Sequence, residues 1–547
     1  MIMRLVSSLV LLALSLPPAG FAQKPQSGND DPVLQAMRTE MERSKAKLKL
    51  EQMAAPYYID YRVSDTENIF AEAAFGALRS DFHAHIRLLR VTVRVGDYKQ
   101  DSFYREGAGT TEFMPLDDDP IAMRHQIWLG TDKAYKAATQ ALTAKQAALK
   151  QFNVEQPVDD FAHADPAQSI EPLATLEADP KLWSAMLQKA SAVYKCDPQL
   201  EAIDAQLNFQ ATNKYFVNSE GTIIRTGQKA YQVTLALTTQ ASDGMRLDRS
   251  HDYAVANLKE LPSEQEFLKK ANELLASLKQ LRDAPIADDD YRGPVLFSAD
   301  AASSVFADFV GENVLGTKPP LGTPARTRGA WATSYKTKVL PDFIDVADDP
   351  TLASVGGHSL LGHYDVDDEG VKATKVDLIQ NGKLMNYVLG REPIRDFPNS
   401  NGHGRAANPA SSPGPALGNL VVSSTEPVSP ADLKQKLIDI CKQRELPYGY
   451  YVETLGPRRM PRLIFKVYAK DGHEELVRGA IFGDLDARAV RNDLVAAGND
   501  VYVDNRVTNI PHSIVNPSVL FDELEVKRAN QNKEKLPEYP PPGVASK

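Results

Sequence analysis

The sequence predicts a two-domain α+β protein, and three observations lead there. The chain has 547 residues, too many for one ordinary hydrophobic core, so its 43% apolar content is expected to be divided between domains. Before residue 290, stretches of apolar residues at helical spacing alternate with strand-like stretches. Beyond it the chain is punctuated by Gly and Pro and reads chiefly as strands. Three acidic residues, Asp288 to Asp290, stand at the expected boundary. It separates a mixed α/β domain, 23–290, from a strand-rich domain, 291–525.

The first 22 residues read as a secretory signal peptide. Arg4 supplies the positive start, Leu5 to Leu16 the apolar run, and Gly20 and Ala22 the small residues of a cut after Ala22. The run is short for a membrane span, which weighs against an uncleaved anchor, and no Cys follows the cut to take a lipid. The expected setting is periplasmic or secreted, with no membrane span after cleavage. Such a compartment permits a disulfide between Cys196 and Cys441, although two cysteines do not show that they meet. A net charge of −10 and the lack of a concentrated basic run argue against a nucleic-acid partner.

In chain order, 32–53 reads as a helix with a weak apolar stripe, and 57–63 as a strand. The pattern over 67–78 is ambiguous. Residues 83–95 alternate as a half-buried strand that places His83, His85 and Arg87 on one face; two histidines beside an Arg make a poor metal site, so this is a solvated strand face. A helical insertion with its linker occupies about 124–194: helix over 124–152, a loop rich in Pro, Asp and Ala over 153–180, helix over 181–194. Strands follow over 203–239 with a turn at Asn218-Ser-Glu-Gly221, then a helix over 251–281.

The second domain opens on a strand at 295–297. Ser298 is a good N-cap for the helix that follows, on which Asp308 and Glu312, four apart, are expected to share a face. Gly362-His-Tyr-Asp-Val-Asp-Asp-Glu-Gly370 leads into a hairpin, 371–379 and 384–389, turning at Asn381-Gly382. A helix over 433–444 and strands over 463–468 and 477–481 complete the domain. Residues 526–547 read as a disordered tail.

Several of these stretches together resemble the TldD/PmbA family of bacterial metallopeptidase-related proteins. They are Gly293-Pro-Val-Leu-Phe297 with the Ala-Ala helix after it, Asp367-Asp-Glu-Gly-Val371, Ile379-Gln-Asn-Gly-Lys-Leu384, Asn401-Gly-His-Gly-Arg405, Gly418-Asn-Leu420, Asn218-Ser-Glu-Gly221 and Asn516-Pro-Ser-Val-Leu-Phe521. The resemblance implies a dimer around a cavity in which peptides or unfolded segments are cleaved by metal-activated water. In zinc-bearing members the helix carries His-Glu-x-x-x-His. Here the matching positions are Ala307, Asp308 and Glu312, and alanine supplies no ligand. The likeness is therefore to the zinc-less, PmbA-like half, which implies a homodimer or a heterodimer with a zinc-bearing TldD-like subunit. No cofactor is expected in this chain; zinc enters only through a partner or a rebuilt site.

The remaining chemistry is sparse. Asp365 to Gly370 imitates the start of an EF-hand loop, but the twelfth position is Val376 and a strand follows, so an acidic turn is the better reading. His358 and His363 lie among glycines with no general base after them. The backbone amides of the loop Asn401, Gly402, His403, Gly404, Arg405 can receive a peptide carboxylate or carbonyl, and His363 joins them as a peptide-binding candidate. Asp308, Glu312 and His363 are the weak candidates for a rebuilt metal site. Three functions follow in order: a zinc-less member that shapes a peptide chamber, an active peptidase with a rebuilt site, and a non-catalytic periplasmic peptide-binding or scaffold protein.

Overall fold

Residues 31–51, 53–152, 158–197, 199–530 and 539 are described by a computed structural model. Helix α1 (Pro32–Lys47) starts where Asp31 accepts hydrogen bonds from the amides of Val33 and Leu34, both at 3.0 Å, and ends before the expected Met53. The next stretch is two long strands, β1 (Tyr58–Ala74) and β2 (Ala77–Arg94), turning at Phe75 and Gly76, both at positive φ. The ambiguous stretch 67–78 is thus the tip of a long hairpin. Its polar alternation is weak locally, but every residue from Asp60 to Ala74 pairs on both sides.

Five more strands complete the first sheet: β3 (Thr110–Phe113), β4 (Gln168–Ile170), β5 (Leu200–Asn218), β6 (Ile223–Gln240) and β7 (Arg246–Val255), in the order β3-β2-β1-β5-β6-β4 with β7 also on β6. β4 lies inside the segment read as linker. The helix expected over 251–281 is a correction: residues 251–255 pair with β6, and α4 runs Glu264–Asp283. Its start is fixed by a capping box, in which Ser263 and Glu266 satisfy each other's amides. Helices α2 (Pro120–Phe152) and α3 (Pro180–Ser191) fall close to expectation.

Strand periodicity then decides the two faces of the sheet. Ile59, Tyr61, Val63, Leu89, Val91 and Val93 form a core with α1 and α2, while Leu207, Phe209, Tyr231, Val233 and Leu235 pack under α3 and α4. The opposite face carries the alternate residues, which are mostly polar.

The second half builds a separate core from residues 287–526. Strand β8 (Tyr291–Phe297) lies between Tyr448–Leu455, parallel to it, and Val519–Arg528, antiparallel. Ser298 caps α5 (Ala299–Phe309), accepting from Ala301 N at 3.0 Å. A further sheet contains β9 (Ile344–Asp348) between 376–380 and 419–424. The hairpin turn at Asn381-Gly382 is present with both residues at positive φ, although its second strand is only Lys383–Leu384. The stretch expected as one strand over 477–481 is two, interrupted at Gly479 with φ +72°. Helix α6 (Pro430–Gln443) covers buried Cys441, whose thiol is free. The expected tail starts too early, because Val526 is fully buried opposite Tyr291 and the strand continues to Arg528. The signal-peptide reading, most of the tail and the Cys196 side chain lie outside the described residues. Among the described residues no helix is long and apolar enough to cross a membrane.

Candidate functional site

The polar face of the first sheet meets loops of the second half across a cleft of about 110 Å³. Its floor is a ladder of half-buried side chains in rows across three strands, Ser64-Lys214-Thr226 and Thr66-Thr212-Gln228, with Gln210 next along; Asn68, opposite Gln210, lies just beyond it. Thr66 and Thr212 hydroxyls lie 3.2 Å apart, and Asn68 donates to Asn208 at 2.6 Å. Sequence reading missed this floor. Its signal was present, as polar residues at every second position of three neighbouring strands, but it becomes a surface only once the pairing is known.

The roof comes from the acidic turn and the glycine-rich loop. Asp367 accepts from the amides of Glu369 at 3.0 Å, Val371 at 2.9 Å and Gly404 at 2.8 Å. Glu369 accepts from Arg391 N at 2.6 Å, and Asp368 takes Lys214 Nζ at 2.9 Å and Ala406 N at 2.8 Å. The turn therefore directs its carboxylates at backbone amides and Lys214, as an ordinary acidic turn does. Burial, reinforced by Glu369, raises the Asp367 carboxyl well above its ordinary range. Burial acts the same way on Asp368, but Lys214 and the Ala406 amide outweigh it and hold that group low.

Arg405 borders the cleft, donating to the carbonyls of Leu417 and Pro511 at 2.8 Å and stacking on Tyr364. His403 sits behind it, fully buried. Its Nε2 faces Asp348 at 3.0 Å and its Nδ1 faces both Asn401 oxygens, so both ring nitrogens are engaged inside the protein. Asn401 is itself spent on Leu389 N and Tyr387 O. Gly402 and Gly404 permit close packing: a Cβ at Gly404 would stand 2.0 Å from Glu369 Oε2. His363 Nδ1 lies 2.9 Å from Pro350 O.

The positions matching the zinc motif do not make a metal site. α5 ends at Phe309, so Glu312 falls in a following 3-10 turn and does not share a helical face with Asp308, contrary to expectation. Past the C-cap Val310, a Cβ at Gly311 would stand 3.0 Å from Leu417 Cδ1. Ala307 packs in the core, and Asp308 pairs with Arg459 at 2.8 Å. Among the described residues no three His, Cys, Asp or Glu side chains are grouped to hold a metal. The donor set does not fit zinc.

The profile of the PmbA/TldA metallopeptidase C-terminal domain matches residues 290–528. The chain carries the carboxy-terminal domain of the TldD/PmbA family. Solved structures extend the likeness in fold beyond that domain to about nine-tenths of the chain. TldE from Thermococcus kodakarensis is 14% identical with a TM-score of 0.59, covering 90% of this chain and 100% of its own. A protein from Thermotoga maritima MSB8, proposed as a modulator of a DNA gyrase, is 14% identical with a TM-score of 0.59, at 89% and 100% coverage. A counterpart from Bacteroides thetaiotaomicron VPI-5482 under the same description is 12% identical with a TM-score of 0.56, at 90% and 98%. At such identities they establish a shared α+β architecture. No curated protein matches the chain by sequence.

Proposed function

We propose that this chain is a PmbA-like, zinc-less member of the TldD/PmbA family that binds peptides or unfolded segments in the cleft. It works in the periplasm after signal removal, as a homodimer or beside a zinc-bearing TldD-like subunit that supplies the hydrolytic chemistry. The observation that carries the reading is Ala307 in the core where the family's first zinc-binding histidine stands, next to an Asp308 already paired with Arg459. A catalytic zinc takes three protein ligands and a water; the motif's two histidine positions are Ala307 and Glu312, the latter in the turn beyond the helix, which leaves too few. The cleft floor supports the binding half: its Thr and Gln side chains offer donors and acceptors that match an extended backbone.

The test is metal content of the purified mature chain by elemental mass spectrometry after zinc loading and desalting, together with peptide binding and turnover. Substoichiometric zinc with peptide bound but not hydrolysed is the expected result. Near-stoichiometric zinc and chelator-sensitive hydrolysis would replace this reading with a rebuilt active site.

A further inference from the structure

One pair of buried cations is bonded to no carboxylate among the described residues. Arg62 and Arg90, facing each other across β1 and β2, are only 9% and 5% exposed. Neither forms an ion pair among the described residues. Arg62 Nη2 donates to Ser411 O at 2.6 Å; Arg90 Nη1 donates to Ala410 O at 2.5 Å, and its Nη2 to Ser412 Oγ at 2.7 Å and to Ala108 O. The Nε of each guanidinium has no hydrogen-bond partner among the described residues. Asp60 lies close enough to be felt electrostatically, yet its Oδ1 is also unpartnered.

Burying two like charges against neutral carbonyls is an expensive arrangement. Burial, and then Arg62, bring Arg90 down to about 10. Apart from Ala108 O on Arg90, the oxygens that meet these arginines come from one segment, the tip of the hairpin formed by Gly404–Ala406 and Pro413–Pro415. That tip borders the cleft at Asn408 and Pro409, and Arg62 lines both the cleft and a small cavity of about 20 Å³ that Ser412 and Pro413 also line. A guanidinium edge with Nε free and Nη2 on a single carbonyl is the half-used form of a bidentate carboxylate site.

We propose that Arg62 and Arg90 form a receptor for the carboxy-terminal carboxylate of a bound peptide, and that the hairpin tip, residues 407–412, is a strap occupying it. In the bound state one carboxylate oxygen takes the place of Ser411 O on Arg62 Nη2 and the other reaches Nε, while the strap lifts. The strap competes with the ligand and keeps the arginines satisfied when the cleft is empty. This rests on the reading of the cleft as a peptide site and adds its end specificity.

The experiment compares N-acetyl-tetraalanine with a free carboxylate and the same peptide as its amide, by calorimetry on the full mature chain. The free acid is expected to bind at least about tenfold tighter. Arg62→Gln is expected to erase that preference, and replacing residues 408–411 by Gly-Gly to tighten binding of the acid but not of the amide. Equal binding of acid and amide by the unmodified chain overturns the carboxylate receptor while leaving a peptide cleft. Binding of neither peptide overturns both. A strap-shortened chain that binds the acid no better removes the strap. The acid–amide comparison needs no variant, so it decides even where Arg62→Gln fails to fold.

Discussion

Asp300, in the first turn of α5, is a carboxyl whose titration links stability to pH near neutrality. Partial loss of water and then the carboxylate of Asp504 push it up to about 6, with Glu453 adding to this and Arg249 opposing. The folded chain therefore holds this proton more tightly than the unfolded one. Its contribution to stability is complete below about pH 4 and is lost as pH rises through about 6. Asp300→Asn cannot titrate, so urea denaturation between pH 4 and 7 is expected to show a flatter profile for the variant. Equal slopes would mean that Asp300 titrates alike in both states. His403 makes a contrasting case at the same scale. A histidine in a Gly-rich loop looked like a ligand-facing group, yet its ring lies wholly inside, tying β9 to the loop through Asp348. Residue type announced a capacity for hydrogen bonding, but not which side of the loop it would face.

Among the elements, helices were legible because their signals are local. Ser298 illustrates this: its hydroxyl accepts from Ala301 N and donates to Glu453 O at 2.7 Å, so it both starts α5 and ties it to the neighbouring strand. Ser298→Ala is expected to cost about 1 kcal/mol of stability. Ser298→Asp keeps the cap and loses only the donated bond, so in chemical denaturation it should fall between the two. A variant Asp no better than Ala would place the value of Ser298 in the Glu453 bond instead. Strands were less legible, and the reason is physical. β1 runs on through Asp65, Thr66, Glu67 and Asn68 because partners on both sides satisfy it, although nothing in that polar run alone asks for a strand. Residues 251–255 erred in the other direction: they continue the spacing of a helix but are captured by the edge of β6. The Asn381-Gly382 turn was readable, since positive φ at two successive positions leaves few residue choices.

At the scale of the whole molecule, the cleft could not be read from the sequence because its walls come from segments far apart in the chain, joined in large part by polar contacts. Each half has its own apolar core, and ion pairs stitch them: Lys214 to Asp368 at 2.9 Å, Lys318 to Asp160 at 2.9 Å, Arg478 to Asp243 at 3.0 Å. Arg391 is the most deeply placed of these links. Fully buried, it grips both carboxylate oxygens of Glu220 at 2.8 Å, donates twice to Ala162 O, and lies 4.0 Å from the ring of Phe161. Its own carbonyl accepts from Ala162 N, so backbone and side chain clamp the same partner. Arg391→Met keeps the volume but leaves Glu220 and Ala162 O facing an apolar chain, a loss of about 3–5 kcal/mol for a broken buried pair. Because that loss falls on the joint and not on either core, it should uncouple the halves. Differential scanning calorimetry of the unmodified chain is expected to give one dominant transition, and Arg391→Met two, the second near the original temperature. A single peak merely shifted downwards would show that the halves share a cooperative core, and the polar joint would then be a consequence of their docking and not its cause.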